Sequence, residues 1–201
     1  MRIYFVRHGE TEYNKLQIVQ GSGVDSSLND TGQSQANALF EKYKDVAFDV
    51  VFTSSLKRTK ETAQQFIDKP IQHIATADLN EINWGVHEGQ KSTPFMIDAY
   101  KKLIEKWGNN DFDARLEKGE SANELQTRLN RFLDHLKTRT EETIIVFTHG
   151  RTLRCLMCLI EGKHLREMEN YSHHNTGVFL VNYEANKYEV LLNNDTSHLP
   201  K

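Results

Sequence analysis

Short apolar runs alternate with amphipathic helical patterns along the chain. Four runs rich in β-branched and aromatic residues, each bounded by turn-forming residues, predict strands at residues 2–7, 48–54, 143–148 and 176–183. The first three lack polar alternation, which is typical of parallel strands covered on both faces. Two weaker strands are predicted at residues 71–75 and 188–192.

Helical periodicity fills the intervals between these strands. Candidate start residues are Asn29, Asp30 or Thr31 for the first helix, Ser54 or Ser55 for the second, and Ser121, in a capping box with Glu124, for the third. A fourth helical segment, residues 151–162, closes with Gly162. Strand and helix alternate, which predicts a three-layer α/β fold with a mostly parallel central sheet flanked by helices.

Residues 82–119 depart from this alternation. A loop-like stretch is followed by one amphipathic helix and then by a polar, glycine-bounded stretch. We expect this segment to be a small helical insertion over the active site at one end of the sheet. The whole chain, residues 1–201, is predicted to form a single domain because its length suits one large core.

Composition and charge narrow the classes of function. The chain is 38% hydrophobic and 26% charged, has a formal net charge of −3 and lacks a dense basic block, so neither a disordered chain nor a nucleic-acid binder is expected. No apolar run approaches the roughly 20 residues of a membrane helix, and no signal peptide is evident. These features predict a cytoplasmic protein with a small ligand and no membrane partner.

The only two cysteines form a C-x-x-C pattern. Cys155 and Cys158 lie inside an apolar helical stretch without a second Cys/His pair at ligand spacing. Redox pairs usually occupy helix N-termini, where the thiolate is stabilised. We therefore expect two buried core thiols rather than a redox or zinc site.

Two predicted strands end in a histidine followed by a glycine. Arg7 ends the first strand and is followed by His8 and Gly9, and His149 and Gly150 follow the third strand. The carboxyl ends of strands face the ligand crevice of an open α/β sheet, so the two histidines should converge if their strands are neighbours. Another strand leads into a helix whose first turn carries Arg58, which adds a cation and a helix N-terminus. Together these features predict an anion site.

The ordered motifs extend over nearly the whole chain. They read RHGETEYN, QG, LNDTGQSQA, TSSLKRTKETA, LNEINWGVHEG, GES and VFTHG. In order and approximate spacing they resemble the histidine phosphatase superfamily, in the branch of cofactor-dependent phosphoglycerate mutases, alpha-ribazole phosphatases and broad-specificity phosphatases. This resemblance implies the fold predicted above.

The resemblance also implies roles for five residues. His8 would be the nucleophile that forms a phosphohistidine. Arg7, Arg58 and His149 would clamp the phosphoryl oxygens. Glu81 would protonate the leaving oxygen and then activate water. Neither a metal nor another cofactor is implied, because the arginines supply the positive charge that magnesium supplies elsewhere.

Four further positions match ligand-binding residues of the family. Asn14 would donate to the phosphate, and Gln20 and Gly21 occupy the next ligand-loop positions. Gly150 would let the ligand approach the backbone closely.

Several assignments remain open from the sequence. Glu88 lies near Glu81 and is an alternative acid. Arg151 either touches substrate or is solvated at the start of a helix. His173 and His174 are expected to be exposed or capping residues rather than metal ligands. Three residues either line the substrate pocket or hold the insertion together: Trp84, His87 and Tyr100.

The resemblance leaves more than one reaction possible. Mutases of this family carry an Arg-Arg pair in the inserted segment, whereas residues 95–119 here contain four lysines and one arginine without such a pair. We therefore predict a metal-independent phosphomonoesterase for a small phosphorylated metabolite, such as alpha-ribazole phosphate or a sugar phosphate. The alternatives are a mutase and a noncatalytic phosphate-binding protein, although the latter would tolerate loss of catalytic residues and none is lost.

Overall fold

Six strands form one mixed sheet in the computed structural model, which describes residues 1–200. They are β1 (Arg2–Arg7), β2 (Val50–Ser54), β3 (Gln72–Thr76), β4 (Thr143–Thr148), β5 (Val178–Glu184) and β6 (Lys187–Asp195). Their order across the sheet is β3-β2-β4-β1-β5-β6. The first four strands in this order run parallel, and β5 and β6 add two antiparallel pairings at one side.

Helices cover both faces of the sheet. They are α1 (Glu12–Lys15), α2 (Asp30–Tyr43), α3 (Lys57–Ile67), α4 (Pro94–Gly108), α5 (Ala122–Lys137) and α6 (Gly150–Ile160). Three short 3-10 helices span Ala77–Leu79, Gly85–His87 and Leu165–Asn170.

Alternate residues of β1 enter two different hydrophobic cores. Ile3 and Phe5 pack in the core that contains the apolar faces of α5 and α6. Tyr4 and Val6 pack in the core that contains the apolar residues of α2 and α3. Successive side chains of a strand point to opposite faces, so this arrangement confirms the predicted three layers and the burial of β1 on both sides.

Two predicted helix starts are confirmed and one is wrong. Asn29 caps α2 by accepting from the backbone N–H of Gly32 at 2.8 Å, and Ser121 and Glu124 form the capping box of α5. Helix α3 instead begins at Lys57, because the Ser54 hydroxyl accepts from the backbone N–H of Leu56 and also bonds the His149 ring. Ser54 therefore belongs to the strand and to the site.

The insertion is anchored in the larger core by its one long helix. Leu103 and Trp107 of α4 are buried in the core that α5 and α6 share. The Trp107 indole N–H donates to the carbonyl of Ala114 at 2.9 Å and so ties the helix to the polar stretch that follows. This packing fixes α4 beside the carboxyl ends of the parallel strands.

The two cysteines lie in α6 as unpaired, fully buried thiols, as predicted. Burial raises the pKa of both, that of Cys158 to about 12. They are therefore protonated, inert core groups at neutral pH. Within residues 1–200, every helix is too short or too polar to cross a lipid bilayer.

Candidate active site

The two histidine-bearing strands are neighbours in the sheet. Arg7 at the end of β1 lies opposite Thr148 at the end of β4, and the backbone N–H of His8 donates to the Thr148 carbonyl at 2.9 Å. The ring centroids of His8 and His149 are 5.1 Å apart. The predicted convergence of the two histidines is confirmed, and its cause is the parallel pairing of β1 with β4.

His8 is held with one ring nitrogen free. Its Nδ1 lies 2.7 Å from the carbonyl oxygen of Gly9, which can only accept, so Nδ1 carries the proton and Nε2 keeps its lone pair. Burial, followed by the nearby charges of Arg58 and Arg7, keeps the pKa of His8 well below its ordinary value. The ring is therefore neutral and able to act as a nucleophile through Nε2.

Two guanidinium groups flank His8, that of fully buried Arg58 and that of half-buried Arg7. The Arg58 side chain has no exposed surface and uses three of the five N–H groups of a guanidinium, donating to His149 Nδ1 at 3.1 Å, the Val24 carbonyl at 2.8 Å and the Gly21 carbonyl at 3.2 Å. Arg7 donates through Nη1 to the His173 carbonyl at 3.3 Å, and its buried Nε has no partner. Both arginines thus retain N–H groups for an anion.

Burial does not remove the charge of these arginines. Desolvation lowers the pKa of Arg7 to about 10 and also lowers that of Arg58, while the charge of Glu81 opposes the shift in both cases. A guanidinium with a pKa near 10 remains protonated at neutral pH. The unpartnered Arg7 nitrogen is the kind of buried polar atom that a bound anion would satisfy.

His149 is fully buried and bonds through both ring nitrogens. Its Nδ1 accepts from Arg58, and its Nε2 donates to the Ser54 hydroxyl at 2.8 Å. In this arrangement His149 orients Arg58 and does not line the cavity beside His8. Its expected contact with the phosphoryl oxygens stays a prediction, which requires the ring to exchange one of these bonds for the substrate.

The structure places the two candidate acids differently. Glu81 lines the cavity at the N-terminus of α6, where its carboxylate accepts from the backbone N–H groups of Arg151 and Thr152, each at 3.0 Å, and from the Thr152 hydroxyl at 3.0 Å. Glu88 lies outside this cavity and accepts from the backbone N–H groups of Trp84 and Gly23, both at 2.7 Å. The geometry therefore favours Glu81 as the acid.

The four further residues predicted to bind the ligand divide into two groups. Asn14, Gln20 and Gly150 line the cavity, and the Gln20 amide is held by the Thr11 hydroxyl at 2.8 Å. Gly21 does not line it, but its carbonyl accepts from Arg58. A Cβ at Gly21 would overlap the Glu88 carboxylate and approach the Ile82 carbonyl to 2.5 Å, so a larger residue would displace this acceptor.

The cavity beside His8 has a volume of about 210 Å³, and four arginines and one glutamate are among the residues of its wall. Its wall also includes Trp84, Tyr100 and Arg151, for which a position in the pocket was one of two alternatives, and in addition Ile18, Arg154 and His173. Arg151 is only 5% exposed and is paired with Glu169, so the solvated alternative for this residue is wrong. Arg154 also pairs with Glu169, and its buried Nε has no partner.

The expectation for His173 is wrong, whereas that for His174 is confirmed. His174 is exposed and bonded to Asn194. His173 lines the cavity, and a Cβ at Gly150 would lie 2.9 Å from its ring. The cause is a tertiary contact that no local sequence pattern indicates: the backbone N–H of Thr176, two residues before β5, donates to the Arg7 carbonyl at 3.0 Å. This contact brings the preceding loop over the end of β1.

The buried neutral histidines predict a loss of stability in acid. Burial is the main cause that lowers the pKa of His8, His149 and His173, the last to about 3. Below pH about 6.5 the unfolded chain binds protons at these histidines that the native state does not bind. The free energy of unfolding therefore decreases as the pH falls toward the native pKa values, by up to about 1.4 kcal/mol per pH unit for each histidine.

Urea unfolding of the wild type and of His173→Gln at pH about 7.5 and about 5.5 tests this linkage. Between these two pH values the free energy of unfolding should decrease by about 1 kcal/mol more in the wild type than in His173→Gln. The control, His135→Gln, replaces an exposed histidine and should keep the wild-type slope. Equal slopes for the wild type and His173→Gln would contradict the assignment of His173 as a half-buried group that stays neutral in the native state.

The described residues contain no cluster of three or more His, Cys, Asp or Glu side chains arranged to hold a metal ion. What the site does offer is a neutral imidazole, several guanidinium groups and one carboxylate around a small cavity. A phosphoryl group matches this set, because its oxygens accept from guanidinium donors while its phosphorus accepts the imidazole lone pair.

Comparison with known proteins gives consistent matches. The family model described as "Histidine phosphatase superfamily (branch 1)" matches residues 3–196. A protein of Hydrogenobacter thermophilus named "Putative phosphoserine phosphatase 2" is 30% identical over 198 residues, which cover 98% of this chain and 97% of that protein. "Probable phosphoglycerate mutase GpmB" of Photorhabdus laumondii is 32% identical over 169 residues, covering 81% of this chain and 75% of that protein.

A solved structure also matches along nearly the whole chain. The phosphoserine phosphatase of Entamoeba histolytica, in complex with 3-phosphoglyceric acid, superimposes with a TM-score of 0.84 at 25% identity. The match covers 99% of both chains.

Proposed function

Because the chain belongs to the histidine phosphatase superfamily and is an enzyme of the phosphatase type, we propose that it hydrolyses a small phosphomonoester. The reaction proceeds through a phosphohistidine at His8 and needs no metal ion. The observation that carries the proposal is the His8 ring. Its Nδ1 is held by the Gly9 carbonyl at 2.7 Å, so the Nε2 lone pair is available beside the charges of Arg7 and Arg58.

In the first step, the Nε2 lone pair of His8 attacks phosphorus and the bond from phosphorus to the ester oxygen breaks. Glu81, protonated at this stage, gives its proton to the leaving oxygen, so that a neutral alcohol departs. Arg7 and Arg58 stabilise the charge that spreads over the remaining phosphoryl oxygens. A substrate that arrives as its monoanion brings the proton that Glu81 needs.

In the second step, water attacks the phosphohistidine. The Glu81 carboxylate accepts a proton from this water, the bond between phosphorus and nitrogen breaks, and its electron pair returns to Nε2. Phosphate leaves, and the neutral His8 ring is restored. The backbone N–H groups at the start of α6 hold the Glu81 carboxylate in place between the two steps.

The cationic residues of the insertion favour hydrolysis over mutase chemistry. Lys101, Lys102 and Lys106 are exposed on α4, Lys91 and Lys118 are exposed on either side of this helix, and exposed Arg115 pairs with Glu124 at 2.7 Å. None of them lines the cavity beside His8. A mutase must retain a phosphorylated product for the return transfer, and the insertion offers no extra anion contact for that purpose.

A substrate panel tests hydrolysis against phosphotransfer. Phosphate release and isomerisation would be measured with 3-phosphoglycerate, with and without its bisphosphate, and with simple phosphomonoesters. We expect phosphate release from monoesters at a rate that bisphosphate and EDTA leave unchanged. Bisphosphate-dependent isomerisation that outruns phosphate release would favour a mutase, consistent with the name of one relative.

A further inference from the structure

A second cavity adjoins the phosphoryl cavity under the insertion helix α4. It has a volume of about 280 Å³. Gln20, Trp84 and Tyr100 line both cavities, so they are the shared wall between them. The two cavities are therefore adjacent, which is the arrangement that a ligand reaching from His8 into the second cavity requires.

The second cavity is apolar where the first is cationic. Aliphatic side chains of Val19, Met96, Ile97 and Leu116 line it together with the two shared aromatic rings. Its polar lining residues are Gln20, His87 and Ser92, and among the described residues no Asp, Glu, Lys or Arg contributes to it. A charged group placed here would lose its hydration without gaining an opposite charge, which is unfavourable.

The aromatic wall is held in place without a ligand. The Trp84 ring meets the Tyr100 ring edge-on at 5.5 Å and stacks on buried Trp107 at 6.4 Å. The Tyr100 hydroxyl bonds to the Arg151 guanidinium, which also lies 5.9 Å from the Trp84 ring centroid. These contacts keep both rings in position, so that a ligand need not order them.

The rim of this cavity leaves apolar surface exposed. Ile97 of α4 lines the cavity and is 45% exposed. An apolar cavity of about 150 Å³ is known to bind benzene, so the present one has room for a six-membered ring or for several methylene groups. A ligand that covered this surface would gain the free energy of burying apolar area.

We propose that the second cavity receives the alcohol part of the substrate, and that this part is an apolar aryl or alkyl group. The proposal rests on the function given above, since the phosphoryl group must lie beside His8 for the ester to reach this cavity. An apolar subsite disfavours substrates whose alcohol part carries an ammonium or a carboxylate, because the lining offers no opposite charge to either group.

A series of n-alkyl phosphates from ethyl to octyl tests the apolar subsite. The alcohols released from these esters have nearly equal basicity, so differences in kcat/KM within the series report how the alkyl group binds. We expect kcat/KM to rise about fourfold per methylene until the cavity is filled. O-phosphoserine should react no faster than ethyl phosphate.

Two variants of α4 give a matched comparison. Ile97→Asp places a charge in the cavity lining and should lower kcat/KM for hexyl phosphate by about tenfold or more while leaving ethyl phosphate nearly unchanged. Phe95→Asp makes the same change in charge on the same helix, at a residue that is 76% exposed and does not line the cavity. Phe95→Asp should leave kcat/KM for both substrates unchanged. This variant controls for long-range repulsion between an added carboxylate and the anionic substrates.

The outcomes separate this inference from the proposed function. If ethyl phosphate is hydrolysed through His8 but kcat/KM is flat along the series, or if phosphoserine outperforms hexyl phosphate, the apolar subsite is refuted and the phosphatase stands. If Ile97→Asp and Phe95→Asp have equal effects, the subsite is likewise refuted. If no monoester is hydrolysed and no phosphohistidine forms, the proposed function itself fails.

Discussion

Replacement of His8 by alanine is expected to lower kcat for phosphomonoesters by about 10⁴-fold or more, the order of loss seen when a covalent nucleophile is removed. The reason lies in the hydrogen bond from Nδ1 to the Gly9 carbonyl, which leaves the Nε2 lone pair of His8 free beside the charges of Arg7 and Arg58. Alanine offers neither the lone pair nor a second route, because His149 bonds through both ring nitrogens.

Steady-state kinetics of His8→Ala with a simple phosphomonoester measures this loss. His135→Ala is the matched control, because it removes an exposed histidine that does not line the cavity. Circular dichroism and thermal unfolding establish that both variants fold. A folded His8→Ala protein with turnover within tenfold of the wild type would be incompatible with a nucleophilic role.

Replacement of Glu81 by glutamine is expected to lower kcat by about 10²- to 10⁴-fold for alkyl phosphates, because the amide cannot transfer the proton to the leaving oxygen. The loss should be smaller for p-nitrophenyl phosphate, whose leaving group needs less protonation. A purely structural role would affect both substrates alike, so the ratio of the two losses is the measurement.

Glu88→Gln is the contrasting variant. The Glu88 carboxylate accepts from the backbone N–H groups of Trp84 and Gly23, so its loss should lower the melting temperature. The dependence of kcat on the leaving group should remain that of the wild type. A dependence that changes in Glu88→Gln and not in Glu81→Gln would transfer the role of acid to Glu88.

Periodicity and turn chemistry predicted the layers of the fold, because buried parallel strands and amphipathic helices leave clear patterns in the sequence. The boundaries were less predictable. Strand β5 begins at Val178, two residues later than expected, since Thr176 takes a positive φ of 56° in the turn before it. Such a turn is set by the contact of Thr176 with Arg7, which no local pattern reveals.

The site could be predicted where a strand end carries the residue, as for His8 and His149. No sequence pattern indicated Arg154, which reaches the cavity only because α6 starts at the same sheet edge. His173 was misjudged for a similar reason: its loop crosses the end of β1 through an antiparallel pairing distant in sequence. Neighbours of this kind depend on topology rather than on local residue types.

The most direct test of the account is to trap the phosphoenzyme. The protein would be mixed with a ³²P-labelled phosphomonoester, quenched within milliseconds in base, digested, and the labelled peptide identified by mass spectrometry, with His8→Ala in parallel. We predict an acid-labile, base-stable phosphoryl group on the peptide that contains His8, formed and lost as fast as turnover requires. Turnover without such a label, or a label on another residue, would contradict the phosphohistidine mechanism.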